Sequence, residues 1–305
     1  MQIVQTLAAV DLGSNSFRLE IGRVEQGHYV RQSYLKETIR QGSGLDGNGC
    51  LTEDAMQRGW DCLARFGARL QGFDPANVRA VATQTLREAR NRETFIATGN
   101  RLLGFPIRVI AGDAEAALIY QGAAQTIAND NEARLVIDIG GRSTELIQGT
   151  GMQAQHAVSC PVGSVAWSMQ FFASGEFSVP AFAAAQSAAN ATLREACAPF
   201  MTGQWDRAYG SAGTVNAVVD VLTYSGWPSG HVSRAGLDWL LAQLLAAGHI
   251  DRLDLPGLRA DRRPVISGGL SVLRALFDLL GITRLEQCSG GLRHGLLLEM
   301  MKKAR

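Results

Sequence analysis

The chain contains an internal repeat that restricts what it can fold into. Residues 10–22 (VDLGSNSFRLEIG) align without gaps on residues 137–149 (IDIGGRSTELIQG), so that Asp11 and Asp138 stand 127 residues apart. Each copy reads as a buried strand ending in an aspartate, a tight turn of small residues, and a second strand returning to a glycine. A repeat of this length implies two related α/β halves. Between the copies the pattern alternates: strand over 78–83, helix over 86–98, strand over 107–111 and helix over 114–128, as in an α/β sheet. Helical patterns also fit 52–70, where Thr52 and Asp54 offer capping chemistry, and 179–196. Residues 42–49, with four glycines and an Asp46-Gly47 step, read as a turn or mobile loop. Residues 208–214 and 265–270 each put glycines at a strand end before a helical stretch, which makes both candidate backbone-amide cradles. The closing segment, 291–303, is an apolar helix whose basic end suits the helix macrodipole.

With 305 residues, 46% of them hydrophobic, and a mean hydropathy near zero, the chain can give each of two domains a core. No run approaches the roughly 18 apolar residues of a membrane span. The first ten residues meet Asp11 too soon to form a signal peptide, so the expectation is a soluble cytoplasmic protein with no membrane partner. A net charge of +1 provides no global field for a polyanion. Phosphate binding must therefore be local, and nucleic acid is not expected as a partner. The five cysteines include no C-x-x-C pair and the five histidines no i, i+4 spacing, so neither a disulfide framework nor a zinc site is indicated.

Polyphosphate binding needs backbone N–H groups aimed at anionic oxygens, in turns that small residues let approach closely. Gly13, Ser14 and Asn15 meet this requirement once, and Gly140 and Gly141 a second time; residues 210–214 add a third turn. Asp11 and Asp138 end their strands beside these turns. Two carboxylates facing one cleft would repel without a cation, and magnesium suits oxygen ligands and substrate phosphate; the alternative is that each aspartate caps its turn. Asp113 reads as a helix N-cap with Glu115 in the first turn, where the macrodipole favours an ionised carboxylate. Spacing alone leaves Glu115 equally a stabilising first-turn residue. Ser14, Ser16, Ser143 and Ser211 have no histidine–aspartate pattern around them and read as phosphate donors or turn residues.

The duplicated D-x-G turn with a later G-S-A-G-T element resembles the actin-like ATPase superfamily. More narrowly, the chain resembles the exopolyphosphatase/guanosine pentaphosphate phosphohydrolase family through DLGSNSFRL (11–19), ATQTLREARN (82–91), IAGDAEAALIYQG (110–122), VIDIGGRSTE (136–145), GSAGTVN (210–216) and SGGLRHG (289–295). The resemblance implies an α/β fold of two actin-like (ribonuclease H-like) domains, 1–123 and 124–305, with the active site in an interdomain cleft and the last helix, about 292–304, packing back on the first domain. It implies that Glu115 is the base orienting the attacking water and that Arg87 binds phosphate. Asp138 and Glu145 would serve catalysis and, with Asp11, a Mg²⁺ or Mn²⁺ ion. Gly13, Ser14, Asn15, Gly140, Gly141, Arg142, Ser143, Gly213 and Thr214 would form the phosphate loops. The implied substrates are polyphosphate or guanosine polyphosphate, and a homodimer is common in the family.

Three residues depart from the family's pattern: Ala114 stands at the first glutamate of its E-E pair, Arg142 at the third glycine of its loop, and His294 at a glutamate of the closing motif. Arg142 could add a charge-assisted phosphate contact or distort a turn that needs glycine. The chain resembles the family's short form, whose size suggests short polyphosphates or guanosine penta- and tetraphosphate. Two other readings stay open: a sensor that binds these ligands with slow or no turnover, and an actin-like kinase or ATPase.

Overall fold

The computed structural model describes residues 5–128, 131–201 and 203–303. The chain divides into two compact units, residues 1–122 with 292–305 and residues 123–291. In the first unit, β1 (Gln5–Leu12), β2 (Ser16–Glu25) and β3 (His28–Thr38) form an antiparallel meander. It is followed by α1 (Glu53–Arg69), β4 (Val78–Ala82), α2 (Gln84–Glu88), α3 (Arg92–Leu103), β5 (Ile107–Val109) and α4 (Gly112–Ala124). The sheet order is β3-β2-β1-β4-β5, with β4 and β5 parallel to β1. β1 is central and buried from Leu7 to its end, which its continuous apolar run requires.

The second unit repeats the plan. β6 (Ala133–Ile139), β7 (Thr144–Thr150) and β8 (Gln153–Cys160) form the meander. Then come α5 (Ser164–Phe171), α6 (Val179–Cys197), β9 (Arg207–Ser211), α7 (Ala212–Tyr224), β10 (His231–Ser233), α8 (Arg234–Ala247), α9 (Ile266–Leu280) and β11 (Arg284–Gln287). Its sheet order is β10-β11-β9-β6-β7-β8. The repeat holds to the residue. Asp11 pairs with Arg18 and Asp138 with Glu145, and the second strand of each meander shifts register at the equivalent place, Ile21/Gly22 and Gln148/Gly149. A Cβ on Gly13 would lie 3.1 Å from the Ser16 carbonyl, and one on Gly140 3.1 Å from that of Ser143.

Helix ends follow local chemistry. The Thr52 hydroxyl accepts the Ala55 N–H at the start of α1, whose buried Ala55, Met56, Gly59, Cys62, Leu63 and Phe66 recur at helical spacing. Trp60 stacks on Phe95 at 6.0 Å between ring centres, tying α1 to α3. The helix expected over 86–98 is interrupted at residues 89–91. Asn91 exchanges two hydrogen bonds with the Leu51 backbone (2.8 and 2.9 Å) and the Arg90 N–H donates to Gly49, so tertiary partners replace a helical turn. Those bonds fix the end of the glycine-rich stretch 42–49. Its start is a short 3₁₀ turn, Gln41–Gly44, with Gly42 and Gly44 buried, so the stretch is not a free loop.

The expected cradle at 265–270 is not one. Gly268 and Gly269 lie inside α9, where a Cβ on Gly268 would meet the Ser164 carbonyl at 2.6 Å and one on Gly269 the Thr214 methyl at 2.6 Å. These glycines let α9 pack close on α5 and α7. All five cysteines are free, and four are buried. Among the described residues no helix is long and apolar enough to cross a membrane.

The closing helix α10 (Leu292–Lys303) belongs to the first unit; residue 304, the last one expected in it, lies outside the described residues. A Cβ on Gly295 would overlap the Leu118 carbonyl of α4. Gly295→Ala should therefore cost about 2–3 kcal/mol, as overpacking against rigid backbone does, read as a lower urea midpoint at unchanged m-value.

Candidate active site

In the second unit four strands bring four polar residues into one row. Ser211 on β9 pairs with Asp138 on β6, Asp138 with Glu145 on β7, and Glu145 with Ser159 on β8. The Ser211 hydroxyl donates to Asp138 Oδ2 at 2.5 Å and the Ser159 hydroxyl to Glu145 Oε1 at 2.7 Å. Asp138 is 8% exposed and Glu145 1%. Directly paired residues have Cβ atoms about 5 Å apart, so the two carboxylates stand side by side on neighbouring strands. No sequence motif marks Ser159, because β8 is a polar edge strand with little hydrophobic alternation. Ser211, expected as a turn or phosphate residue, uses its hydroxyl to orient Asp138.

The equivalent row in the first unit has the opposite charge logic. Asp11 is flanked by Val81 and Arg18, and Arg18 by Lys36. Arg18 Nη1 lies 2.9 Å from Asp11 Oδ2, with Arg293 Nη1 4.0 Å away. Asp11, expected as a metal ligand, is thus neutralised by arginine. Among the described residues no three His, Cys, Asp or Glu side chains converge on a cation site. Magnesium commonly takes one or two carboxylates and completes its shell with water and substrate phosphate. The Asp138–Glu145 pair fits that arrangement; Asp11 does not.

The turn between β6 and β7 is held by its own backbone and by α5. Gly140 N–H donates to the Ser143 carbonyl at 2.9 Å, while the Gly140 and Gly141 carbonyls accept from Ser164 (3.0 Å) and Val165 (2.8 Å). Gly163 lies against the turn, where a Cβ would come 2.6 Å from Arg142 Cα. Arg142 is not among the residues with positive φ, so an arginine replaces glycine there without backbone strain. The Thr214 hydroxyl, expected on phosphate, instead donates to the Ile139 carbonyl at 2.9 Å and straps α7 to β6. Ala212, at the start of α7, has φ of 63°, a strained value for a residue with a Cβ. Gly213 is covered by Arg262, since a Cβ on it would lie 2.5 Å from the guanidinium carbon. Arg262 is 7% exposed and sits in a loop with no periodic signal to announce it.

In the first unit, the turn at Gly13, Ser14 and Asn15 is covered by the segment after β3: Gly42 N–H donates to the Ser14 carbonyl (2.7 Å), and Ile39 and Arg40 N–H to that of Asn15. Ser14 and Asn15 are buried. Glu115 occupies the first turn of α4, its N–H donating to Ala111 at 2.9 Å. The helix starts at Gly112, so Asp113 is already helical and accepts the Ala114 N–H at 2.8 Å; it is not the N-cap. Arg87 Nη1 meets Glu115 Oε2 at 2.6 Å and also donates to the Ile110 carbonyl at 2.9 Å. Both side chains of this ion pair are largely buried, at 17% and 8% exposure. The guanidinium expected on phosphate is engaged by the carboxylate expected to be the base.

His294 on α10 is half-buried, with Nδ1 lacking a hydrogen-bond partner. Burial lowers its pKa and the nearby Arg293 and Arg31 push the same way, against Glu20. Above the unfolded value of about 6.5 both states are neutral. As pH falls from there towards the lower folded value, the unfolded chain takes up the proton first and stability is lost. The urea midpoint should drop between pH 7 and 5, by less in His294→Gln.

Each of the two mixed α/β units has a central strand with aspartate as its next-to-last residue, followed by a glycine turn. The model of the Ppx/GppA phosphatase family matches residues 21–304, and the chain belongs to that family. It is 40% identical over 298 residues to the guanosine-5'-triphosphate,3'-diphosphate pyrophosphatase of Vibrio vulnificus, covering 98% of this chain and 60% of that protein. The Aliivibrio fischeri protein of the same name is also 40% identical, with 59% covered. The chain thus spans about 60% of the length of these curated relatives. An exopolyphosphatase from Cytophaga hutchinsonii has the same fold, with a TM-score of 0.87 at 21% identity over 98% of both chains. So does the Aquifex aeolicus PPX-GPPA enzyme, at 0.78 and 22%, over 97% of this chain and 99% of that one.

Proposed function

We propose that this chain is a phosphohydrolase that releases the terminal phosphate of guanosine pentaphosphate or of inorganic polyphosphate. The observation that carries the reading is the buried Glu115–Arg87 pair in the first turn of α4. It fixes a carboxylate as an acceptor in a unit whose sequence matches a family of phosphatases. The names of the curated relatives favour the guanosine nucleotide.

In this reading Glu115 accepts a hydrogen bond from water and aims its oxygen at the terminal phosphorus. As the new O–P bond forms, the bridging P–O bond breaks, the shortened phosphate chain leaves with the bond's electrons, and the water proton passes to Glu115. The Gly141 N–H and the Arg142 guanidinium contact the phosphate oxygens in this reading, the Gly140 N–H being held by the Ser143 carbonyl. Asp138 and Glu145, each oriented by a serine, would hold a magnesium or manganese ion, which when bound supplies further charge neutralisation. Catalysis is then mainly positioning and electrostatics. The reading takes the protein as cytoplasmic.

The test is phosphate release from guanosine pentaphosphate, short polyphosphate and long polyphosphate, with and without Mg²⁺. Metal-dependent release from at least one substrate is expected. Binding of these ligands without any release would replace the hydrolase by a sensor, and ATP-dependent phosphorylation of an acceptor would replace it by a kinase.

A further inference from the structure

The Arg87 guanidinium has five N–H donors, and the structure accounts for four. Nε–H and one Nη2–H go to Gln84 Oε1, at 2.9 and 2.6 Å. The two on Nη1 go to Glu115 Oε2 and the Ile110 carbonyl. Gln84 Nε2 donates to Glu88 Oε1 at 2.7 Å, which orients the amide with its oxygen towards the arginine. Gln84 stands one helical turn before Arg87 on α2, so the contact is built into the local backbone.

The Nε/Nη2 edge is one of those with which arginine grips a carboxylate or phosphate through two parallel bonds. Here a neutral oxygen fills it. We infer that Gln84 is a positioning residue for hydrolysis, keeping the guanidinium turned to Glu115 and denying its Nε/Nη2 edge to a substrate or product phosphate. The inference rests on the reading of Glu115 as the base. It changes what Arg87 does: the arginine clamps the base and has a single Nη2–H left for phosphate. Without Gln84, that edge would become a second phosphate grip, tightening ground-state binding while Glu115 loses its fixed partner.

The predicted signature is a split between kcat and binding that a packing defect would not give. Gln84→Met removes the acceptor at nearly constant size; Gln84→Glu keeps an oxygen for both N–H groups, but replaces the donor to Glu88 by a second carboxylate. In Gln84→Met, kcat should fall about tenfold while KM and the inhibition constant of inorganic phosphate stay level or fall. Gln84→Glu should bring kcat back to within about threefold of wild type. A wild-type kcat in Gln84→Met overturns the inference, as do equal losses in both variants with lowered thermal midpoints. Glu115→Gln, assayed in parallel, separates the two levels: full activity there overturns the base assignment and the inference with it, whereas an inactive Glu115→Gln beside a normal Gln84→Met removes only the role of Gln84.

Discussion

Replacing Glu115 by glutamine lowers kcat for phosphate release about a thousandfold, within the range for loss of a general base, and leaves substrate binding near the wild-type level. The substitution is chosen for what it keeps. Glutamine offers Arg87 Nη1 the same acceptor position that Glu115 Oε2 now fills at 2.6 Å, so the buried guanidinium retains a hydrogen bond. Alanine would strand it, at a cost of about 3–5 kcal/mol for a broken buried pair, and would confuse lost folding with lost chemistry. Steady-state kinetics with equilibrium binding of the same nucleotide check the expectation. A variant that turns over at the wild-type rate would remove Glu115 from the mechanism.

Asp138→Asn loses activity by a hundredfold or more, roughly the effect of weakening a metal that supplies several kcal/mol of charge stabilisation, and needs more Mg²⁺ for half-maximal rate. Asparagine still accepts the Ser211 hydroxyl, so the side chain keeps its place and the loss reports on charge. The equivalent change in the first unit, Asp11→Asn, weakens the ion pair with Arg18 and should lower the thermal midpoint. If Asp138→Asn keeps its full rate and its wild-type Mg²⁺ requirement, the paired carboxylates are not a cation site.

The contrast between these rows shows how far the sequence could be read. The gapless repeat announced two related α/β halves, and the structure reproduces it in strand register, bulge position and turn geometry. Those features depend on side-chain alternation and small residues at turns, both local. The charge of each site is not local. It depends on which residue the neighbouring strand sets opposite the aspartate: arginine for Asp11, glutamate and serine for Asp138. The one-dimensional alignment contains the Arg18-to-Glu145 exchange, but its meaning appears only when pairing makes them direct partners of the aspartates.

Motifs mark Glu115, Arg87, Asp138 and Glu145 as candidates, and the helix start near residue 112 and the apolar strands β1 and β6 are legible too, because each is written in a short stretch of chain. Tertiary structure decided that Arg87 faces Glu115 across 28 positions and that Thr214 straps a backbone carbonyl. It also decided that Gly268 and Gly269 are packing residues inside a helix, and that Gln84 and Ser159 orient charged groups. Periodicity and turn chemistry act over a few residues and survive in the sequence; the partner of a buried charge is chosen by whatever the fold brings within about 3 Å of it, the reach of a hydrogen bond.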